Sequence, residues 1–86
     1  MKINLEVETQ DGTKHDVVCT AADIVKFEDK FSISITNATK DLKVTHLLFL
    51  AHASMARQKK TALDFDAWVE TVDTIGVADI APKSKG

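Results

Sequence analysis

The chain has few of the residues that form covalent cross-links, phosphate-binding loops or membrane spans. Its 86 residues include one cysteine, one proline, three glycines, one tryptophan and no tyrosine. One cysteine cannot form an internal disulfide, and three scattered glycines do not make a phosphate-binding loop. The longest apolar run covers residues 47–51, whereas a transmembrane helix needs about 20 apolar residues. These absences disfavour a disulfide-rich scaffold, a P-loop enzyme and a membrane protein.

The charge balance gives little reason to expect a nucleic-acid partner. The chain has 11 basic and 13 acidic residues, which leave a formal net charge of −2. The only basic cluster is Arg-Gln-Lys-Lys at residues 57–60. We interpret this cluster as the solvated C-terminal end of a helix, where positive charge suits the helix dipole. We therefore predict neither a nucleic-acid nor a membrane partner.

Length and composition predict one small domain. A chain of 86 residues with 44% hydrophobic residues can build a single thin core. A homo-oligomer or a bound partner is therefore a plausible source of further stability. We predict one α+β domain over residues 1–80 and a flexible polar tail over residues 81–86. The domain is expected to pack an N-terminal antiparallel β-hairpin on a small bundle of about three helices.

The first 19 residues predict that hairpin. Residues 2–9 alternate between polar and apolar side chains, as in a strand with one buried face. A two-residue turn would mix the faces of the two strands, whereas a three-residue loop over residues 10–12 keeps the apolar residues on one face. In that loop Gly12 takes the left-handed position. The predicted register pairs Leu5 with Val17, Ile3 with Cys19 and Val7 with His15.

A first helix is predicted to follow the hairpin. Thr20 is its expected N-cap, with the Asp23 carboxylate near the positive end of the helix dipole. The buried stripe contains three residues at helical spacing: Ile24, Phe27 and Phe31.

The pattern is weaker over residues 32–40. Ile33 and Ile35 alternate with polar residues, which allows a third short strand. Residues 37–40 are predicted to form a turn.

The central helix is predicted over residues 44–59. Its core stripe contains Val44, Leu47, Leu48, Ala51 and Met55. A second apolar flank contains Phe49, Ala53 and Ala56, so more than half of the circumference is apolar. Such a helix is either wrapped completely by its own domain or leaves a strip for a partner. The sequence does not separate these two outcomes.

A third helix is predicted to begin at Asp64, whose carboxylate can accept hydrogen bonds from the free N–H groups of the first turn. Its apolar side contains Phe65, Trp68, Val69 and Val72. Gly76 is its predicted C-cap.

No residue spacing is typical of a catalytic or metal site. His46 and His52 are six positions apart on one predicted helix, so their side chains would point about 120° away from each other. His15 and Cys19 are two pleats apart on one strand, too far to share a metal ion. The carboxylates of the third helix lie in its first turn, where they serve as caps. We predict a non-enzymatic protein with no catalytic residues, no metal site and no cofactor.

Several short segments follow one another along the chain. They are the turn Asp11-Gly12-Thr13, Phe27-Glu28-Asp29-Lys30-Phe31, Leu48-Phe49-Leu50-Ala51-His52, Phe65-Asp66-Ala67-Trp68 and Val72-Asp73-Thr74-Ile75. Their order resembles that in the tail assembly chaperones of long, non-contractile-tailed bacteriophages, especially those that infect actinobacteria. The resemblance covers residues 1–80.

This resemblance implies a non-enzymatic protein of virion assembly in the host cell cytoplasm. Chaperones of this family keep the tape measure protein soluble and help to recruit tail tube subunits around it. They are typically absent from the finished particle, and many also exist as a longer frameshifted form. The family has no catalytic residues to transfer. From the resemblance we expect the exposed parts of Phe49, Ala53 and Trp68 to contact the partner.

Two other functions are compatible with the sequence. A structural virion component, such as a minor tail or head–tail connector protein, would be found in purified particles. A small DNA-associated regulator would bind DNA in a salt-sensitive manner, with support only from Arg57, Lys59 and Lys60.

Overall fold

A computed structural model describes residues 2–38 and 43–81 of the chain. In chain order they form β1 (Lys2–Thr9), β2 (Lys14–Cys19), α1 (Ala21–Phe31), α2 (Ile35–Ala38), α3 (Val44–Arg57), α4 (Phe65–Val69) and β3 (Val72–Ala81). The strands make one antiparallel sheet in the order β2-β1-β3, and helices pack against it. The predicted α+β class with an N-terminal hairpin is therefore confirmed.

The hairpin has the register that the three-residue loop predicts. Opposite pairs are Leu5–Val17, Ile3–Cys19 and Val7–His15. Gly12 has a φ of +90°, a backbone conformation that residues with a side chain rarely adopt. Its N–H donates a hydrogen bond to the Thr9 carbonyl. The loop thereby places the apolar residues of β1 and most of those of β2 in the core.

The core lies between this sheet and α1 and α3. Its buried apolar residues include Ile3, Leu5 and Val7 of β1, Ile24 and Phe27 of α1, and Leu47, Leu50, Ala51 and Met55 of α3. Phe31 packs at the edge of the core, so the predicted stripe of α1 is confirmed. Thr20 is the N-cap of α1, and its N–H donates a hydrogen bond to the Asp23 carboxylate at 2.9 Å.

The third short strand that the pattern at Ile33 and Ile35 allows is not formed there. Ile35–Ala38 is the short helix α2 instead. The Glu28 carboxylate accepts a hydrogen bond from the Ile35 N–H at 2.8 Å, which satisfies a donor that the first turn leaves free. The predicted turn is wrong at residues 37 and 38, and residues 39 and 40 lie outside the described residues.

The predicted third helix is also shorter than expected. The Asp64 carboxylate caps α4 by accepting a hydrogen bond from the Ala67 N–H at 2.9 Å, as predicted. The helix ends after five residues, because the N–H and the hydroxyl of Thr71 both donate to the Trp68 carbonyl, at 2.9 and 2.7 Å. The next residue, Val72, begins β3 rather than continuing the helix, and Gly76 lies within this strand instead of forming a C-cap.

β3 occupies the edge of β1 that the hairpin leaves free. Pairing satisfies the N–H and carbonyl groups along that edge of β1. The hairpin loop also holds the start of β3: the Gln10 N–H donates to the Thr71 carbonyl at 2.9 Å, and the Gln10 side chain donates to the Glu70 carbonyl at 3.1 Å. Ala81 ends β3, and the rest of the predicted tail, residues 82–86, lies outside the described residues.

The central helix α3 is wrapped at its C-terminal part but open at its N-terminal end. Its buried residues are Leu47, Leu50, Ala51, Ala53, Ser54 and Met55. Val44, predicted to belong to the core stripe, is 61% exposed, and Leu48 is half-buried. The domain therefore wraps this helix only in part.

Candidate partner-binding surface

Two of the three residues predicted to contact a partner lie in the protein interior. Trp68 is 3% exposed and Ala53 is 8% exposed. Contact with a partner through either side chain would require the domain to open. Phe49 is half-buried and packs at the edge of the core.

Phe49 belongs to a cluster of aromatic rings that joins three helices. Its ring centroid lies 5.4 Å from that of Phe31 on α1 and 6.2 Å from that of Phe65 on α4. The Phe31 contact is edge-to-face, the arrangement that aromatic rings prefer. Phe49 is therefore held mainly by contacts within the domain.

The two histidines of α3 pack on aromatic rings. The His46 ring lies edge-on to Phe31 with centroids 5.0 Å apart. The His52 ring lies 5.6 Å from Trp68, and its Nε2 is 2.8 Å from the Leu63 carbonyl oxygen. Within residues 2–38 and 43–81, no three or more His, Cys, Asp or Glu side chains form a group that could hold a metal ion.

An apolar groove lies between the N-terminal half of α3 and β3, and we call it the α3–β3 groove. Its volume is about 350 Å³, and it is lined by Val44, Leu48, Val69, Val72, Asp73, Thr74 and Ile75. Val44 is the most exposed of the aliphatic lining residues, and the other four are half-buried. The groove therefore offers a hydrophobic contact surface on the outside of the domain.

The groove is open because the helices cover the sheet unevenly. α1 packs against β2 and α3, whereas the described residues place no helix of similar length beside α3 over β3. Val77 of β3 lies opposite the buried Leu5, so both side chains project from the same face of the sheet. Val77 nevertheless remains 39% exposed.

Sequence reasoning missed this groove because it assigned residues 64–76 to a single helix. The signal that could have found β3 is the density of β-branched residues after Trp68. They are Val69, Thr71, Val72, Thr74, Ile75, Val77 and Ile80. Such residues are enriched in strands, where their side chains pack well on a pleated surface.

Acidic residues lie on the β3 side of the groove. The lining residues Val69 and Val72 are followed in the chain by Glu70 and Asp73, which are both exposed. Asp73 itself lines the groove, while Lys43 precedes Val44 at the opposite wall. The β3 side of the groove therefore carries negative charge.

An ion pair with one buried partner lies at the other end of α3. The Asp23 side chain is fully buried, and its two oxygens accept hydrogen bonds from Arg57 Nε and Nη2 at 2.9 and 3.0 Å. The hydrogen bond to Asp23 raises the pKa of Arg57. The four residues of the predicted basic cluster are exposed at the C-terminal end of α3, so the prediction of a solvated helix end is confirmed; the sequence did not show that Arg57 also pairs with Asp23.

A second polar contact connects α3 to β2. The buried Ser54 hydroxyl donates to the Val18 carbonyl at 2.6 Å and accepts a hydrogen bond from Gln58 Nε2 at 2.9 Å. In the described part of the chain, every buried side-chain nitrogen or oxygen has a hydrogen-bond partner. These polar groups are thus engaged in holding the fold.

The thiol of Cys19 is poorly suited to act as a nucleophile. Cys19 is 0% exposed, and its Sγ donates to the Leu50 carbonyl at 3.3 Å. Burial raises the pKa of the thiol from 9.0 to about 12 and is the largest cause of the shift. The nearby Asp23 carboxylate also raises this pKa, whereas Arg57 lowers it. Because the thiolate is the reactive form, the thiol is inert at neutral pH.

A smaller and more polar hollow lies between β2 and the C-terminal end of α3. Its volume is about 230 Å³, and it is lined by Lys14, His15, Asp16, Val17, Met55, Gln58 and Lys60. Its charged residues are of both signs and exposed to solvent. This arrangement defines no particular ligand.

The α3–β3 groove is the surface on which a functional interpretation rests. Among the described helices, none has the length and apolar character needed to cross a membrane. Comparisons of the chain with protein-family models, curated proteins and solved structures found no match.

Proposed function

We propose that the chain is a non-enzymatic tail assembly chaperone of a long, non-contractile-tailed bacteriophage. In this proposal it binds the tape measure protein in the host cell cytoplasm and aids polymerisation of the tail tube. The observation that carries the proposal is the open α3–β3 groove, with Val44 61% exposed at its rim. The order of sequence segments that resembles this family supplies the identity of the client.

The physical logic is that of a small protein that shields an apolar helix. A long helical client with an apolar stripe associates with other copies unless that stripe is covered. A groove with aliphatic walls can cover part of the stripe, as in other helix-in-groove complexes. The net charge of −2 and the acidic border favour solubility of the complex.

A binding role also fits the state of the reactive groups. The buried Asp23 carboxylate is engaged by Arg57 and by the Thr20 N–H. The Cys19 thiol is protonated at neutral pH, and the histidines of α3 pack on aromatic rings. These groups are arranged for stability, which supports a function in binding.

Co-expression with a phage tape measure protein, the proposed client, tests the proposal. We expect the two proteins to co-purify, and the soluble fraction of the client to rise relative to expression of the client alone. Failure of both would reject the proposal. Mass spectrometry of purified virions is the complementary test, because a stoichiometric presence there would instead favour a structural virion component.

A further inference from the structure

We propose that the α3–β3 groove binds the apolar face of an amphipathic helix whose flanking residues are basic. This inference rests on the proposed function for the identity of that helix as a client segment. The selectivity of the groove is a separate property and can be measured without the client.

The shape of the groove favours a helix as its occupant. One wall is the α3 surface at Val44 and Leu48, and the other is the face of β3 at Val72 and Ile75. A helix laid beside α3 would touch both walls and complete the helical layer over the sheet. An added strand at the free edge of β3 would lie in the plane of the sheet and leave the α3 wall uncovered.

The charges around the groove favour basic flanks. Asp73 lies in the groove lining, and the exposed Glu70 directly follows the lining residue Val69. Lysine or arginine beside the apolar stripe of the bound helix would be attracted to this border, whereas glutamate would be repelled.

Two synthetic helical peptides test the selectivity. Both carry the same leucine stripe at helical spacing, and the flanking positions are lysine in one and glutamate in the other. We expect the lysine peptide to bind roughly tenfold more tightly or better in isothermal titration calorimetry. This difference should shrink in high salt, because exposed charges are screened beyond about 10 Å at 0.1 M ionic strength.

A matched pair of variants tests the location. Val44→Glu places a carboxylate at the groove rim, and Val25→Glu places one on α1, outside the groove lining. The two valines are 61% and 63% exposed, so the two variants add the same charge at equally exposed helical positions. We expect Val44→Glu to weaken binding of the leucine–lysine peptide about tenfold or more, and Val25→Glu to leave it nearly unchanged. Thermal unfolding of both variants checks that the fold is intact.

Three results of the peptide assay would overturn the inference. They are no binding of the lysine peptide, equal binding of both peptides, and equal effects of the two variants. Sedimentation of the free protein adds a fourth: a wild-type dimer that Val44→Glu converts to a monomer would assign the groove to a second copy.

Failure of this inference can be told apart from failure of the proposed function. If Val44→Glu retains the tape measure protein as well as the wild type does in co-expression, the groove is not the client site and the chaperone function stands. The opposite result is that the tape measure protein is not bound, while the lysine peptide binds selectively and in a manner that Val44→Glu weakens. In that case the groove inference stands, and the client is a different basic helix.

Discussion

Arg57 and Asp23 are separated by 34 residues in the chain and form a two-point ion pair across the domain. The pair joins the C-terminal end of α3 to the first turn of α1. The same carboxylate accepts a hydrogen bond from the Thr20 N–H, so it both caps α1 and holds α3. The Asp23 side chain is fully buried, whereas 32% of the Arg57 side chain is exposed.

Removal of the guanidinium should destabilise the protein, because it leaves a buried carboxylate without its cation. We expect Arg57→Ala to lower the free energy of unfolding by less than the loss of one member of a fully buried pair does, because Arg57 is partly hydrated. Urea denaturation provides the measurement. Lys60→Ala, at an exposed position three residues further on, is the control and should change stability by less than about 0.5 kcal/mol.

The double variant Asp23→Asn/Arg57→Ala separates the two effects in this pair. It should recover part of the stability that Arg57→Ala loses, since no buried charge remains. If Arg57→Ala costs no more than Lys60→Ala, the ion pair makes no net contribution to the fold.

The backbone conformation of Gly12 should make it the more sensitive of two glycines. No neighbouring atom lies within 4 Å of a Cβ built at either Gly12 or Gly76, but only Gly12 has a positive φ, +90°. Gly12→Ala should therefore lower the free energy of unfolding by about 1–2 kcal/mol. Gly76→Ala should be close to neutral or slightly stabilising, because alanine lowers the entropy of the unfolded chain. Equal effects of the two substitutions in thermal unfolding would contradict this explanation of the loop.

Cys19 should make the stability of the protein fall in alkaline solution. The pKa of its thiol is raised to about 12 in the folded protein, above the ordinary value of 9.0. The folded state therefore retains the proton more strongly than the unfolded state does. The resulting contribution to the free energy of unfolding is fully present below pH 9 and is lost between pH 9 and 12. Wild type should lose more stability than Cys19→Ala over this interval in urea titrations. Ultraviolet absorbance of the thiolate near pH 9 in the folded protein would refute the assignment.

Asp11 should make the stability of the protein fall in acidic solution. Its pKa is lowered from 3.8 to about 2, chiefly by the hydrogen bond from the Thr9 hydroxyl and then by that from the Thr13 N–H. The folded pKa lies below the unfolded one, so the stabilisation is present above pH 4 and is lost as the pH falls towards 2. The stability difference between wild type and Asp11→Asn should shrink over this range. NMR titration of the carboxyl carbon gives the pKa directly, and a value near 3.8 would contradict the prediction.

Local sequence rules were sufficient for the hairpin and for α1. Alternation along residues 2–9, together with a glycine at the one loop position that needs positive φ, selects a single register. Thr20 and the stripe from Ile24 to Phe31 likewise define a helix without reference to the remainder of the chain. These features were predictable because their main determinants lie within a few residues of each other.

The region after Asp64 could not be assigned in this way. Phe65, Trp68 and Val72 have helical spacing, yet only the first two are helical. Strand formation from Val72 onward depends on the free edge of β1, and the paired residues are all more than 60 positions apart in the sequence. A pairing of this kind leaves only a weak trace in the local pattern, namely the excess of β-branched residues.

The sequence indicated an excess of apolar surface on the central helix, but not which part of that surface the fold leaves exposed. The apolar circumference of the central helix indicates more hydrophobic surface than a small domain covers easily, and the predicted contact residues are Phe49, Ala53 and Trp68. The fold buries Ala53 and Trp68 and exposes Val44. The choice of face depended on where α1, α4 and β3 pack, and the spacing within α3 carries no information about them.

The sequence by itself determined the hairpin register, the N-caps of α1 and α4, and the amount of apolar surface that must be covered. The tertiary structure alone decided that residues 72–81 form a strand, that Arg57 reaches the buried Asp23, and which side of α3 remains open. The physical reason is the range of the interactions. Turns, caps and periodicity act between near neighbours in the chain, whereas burial and the pairing of a free strand edge depend on elements that meet only when the domain is folded.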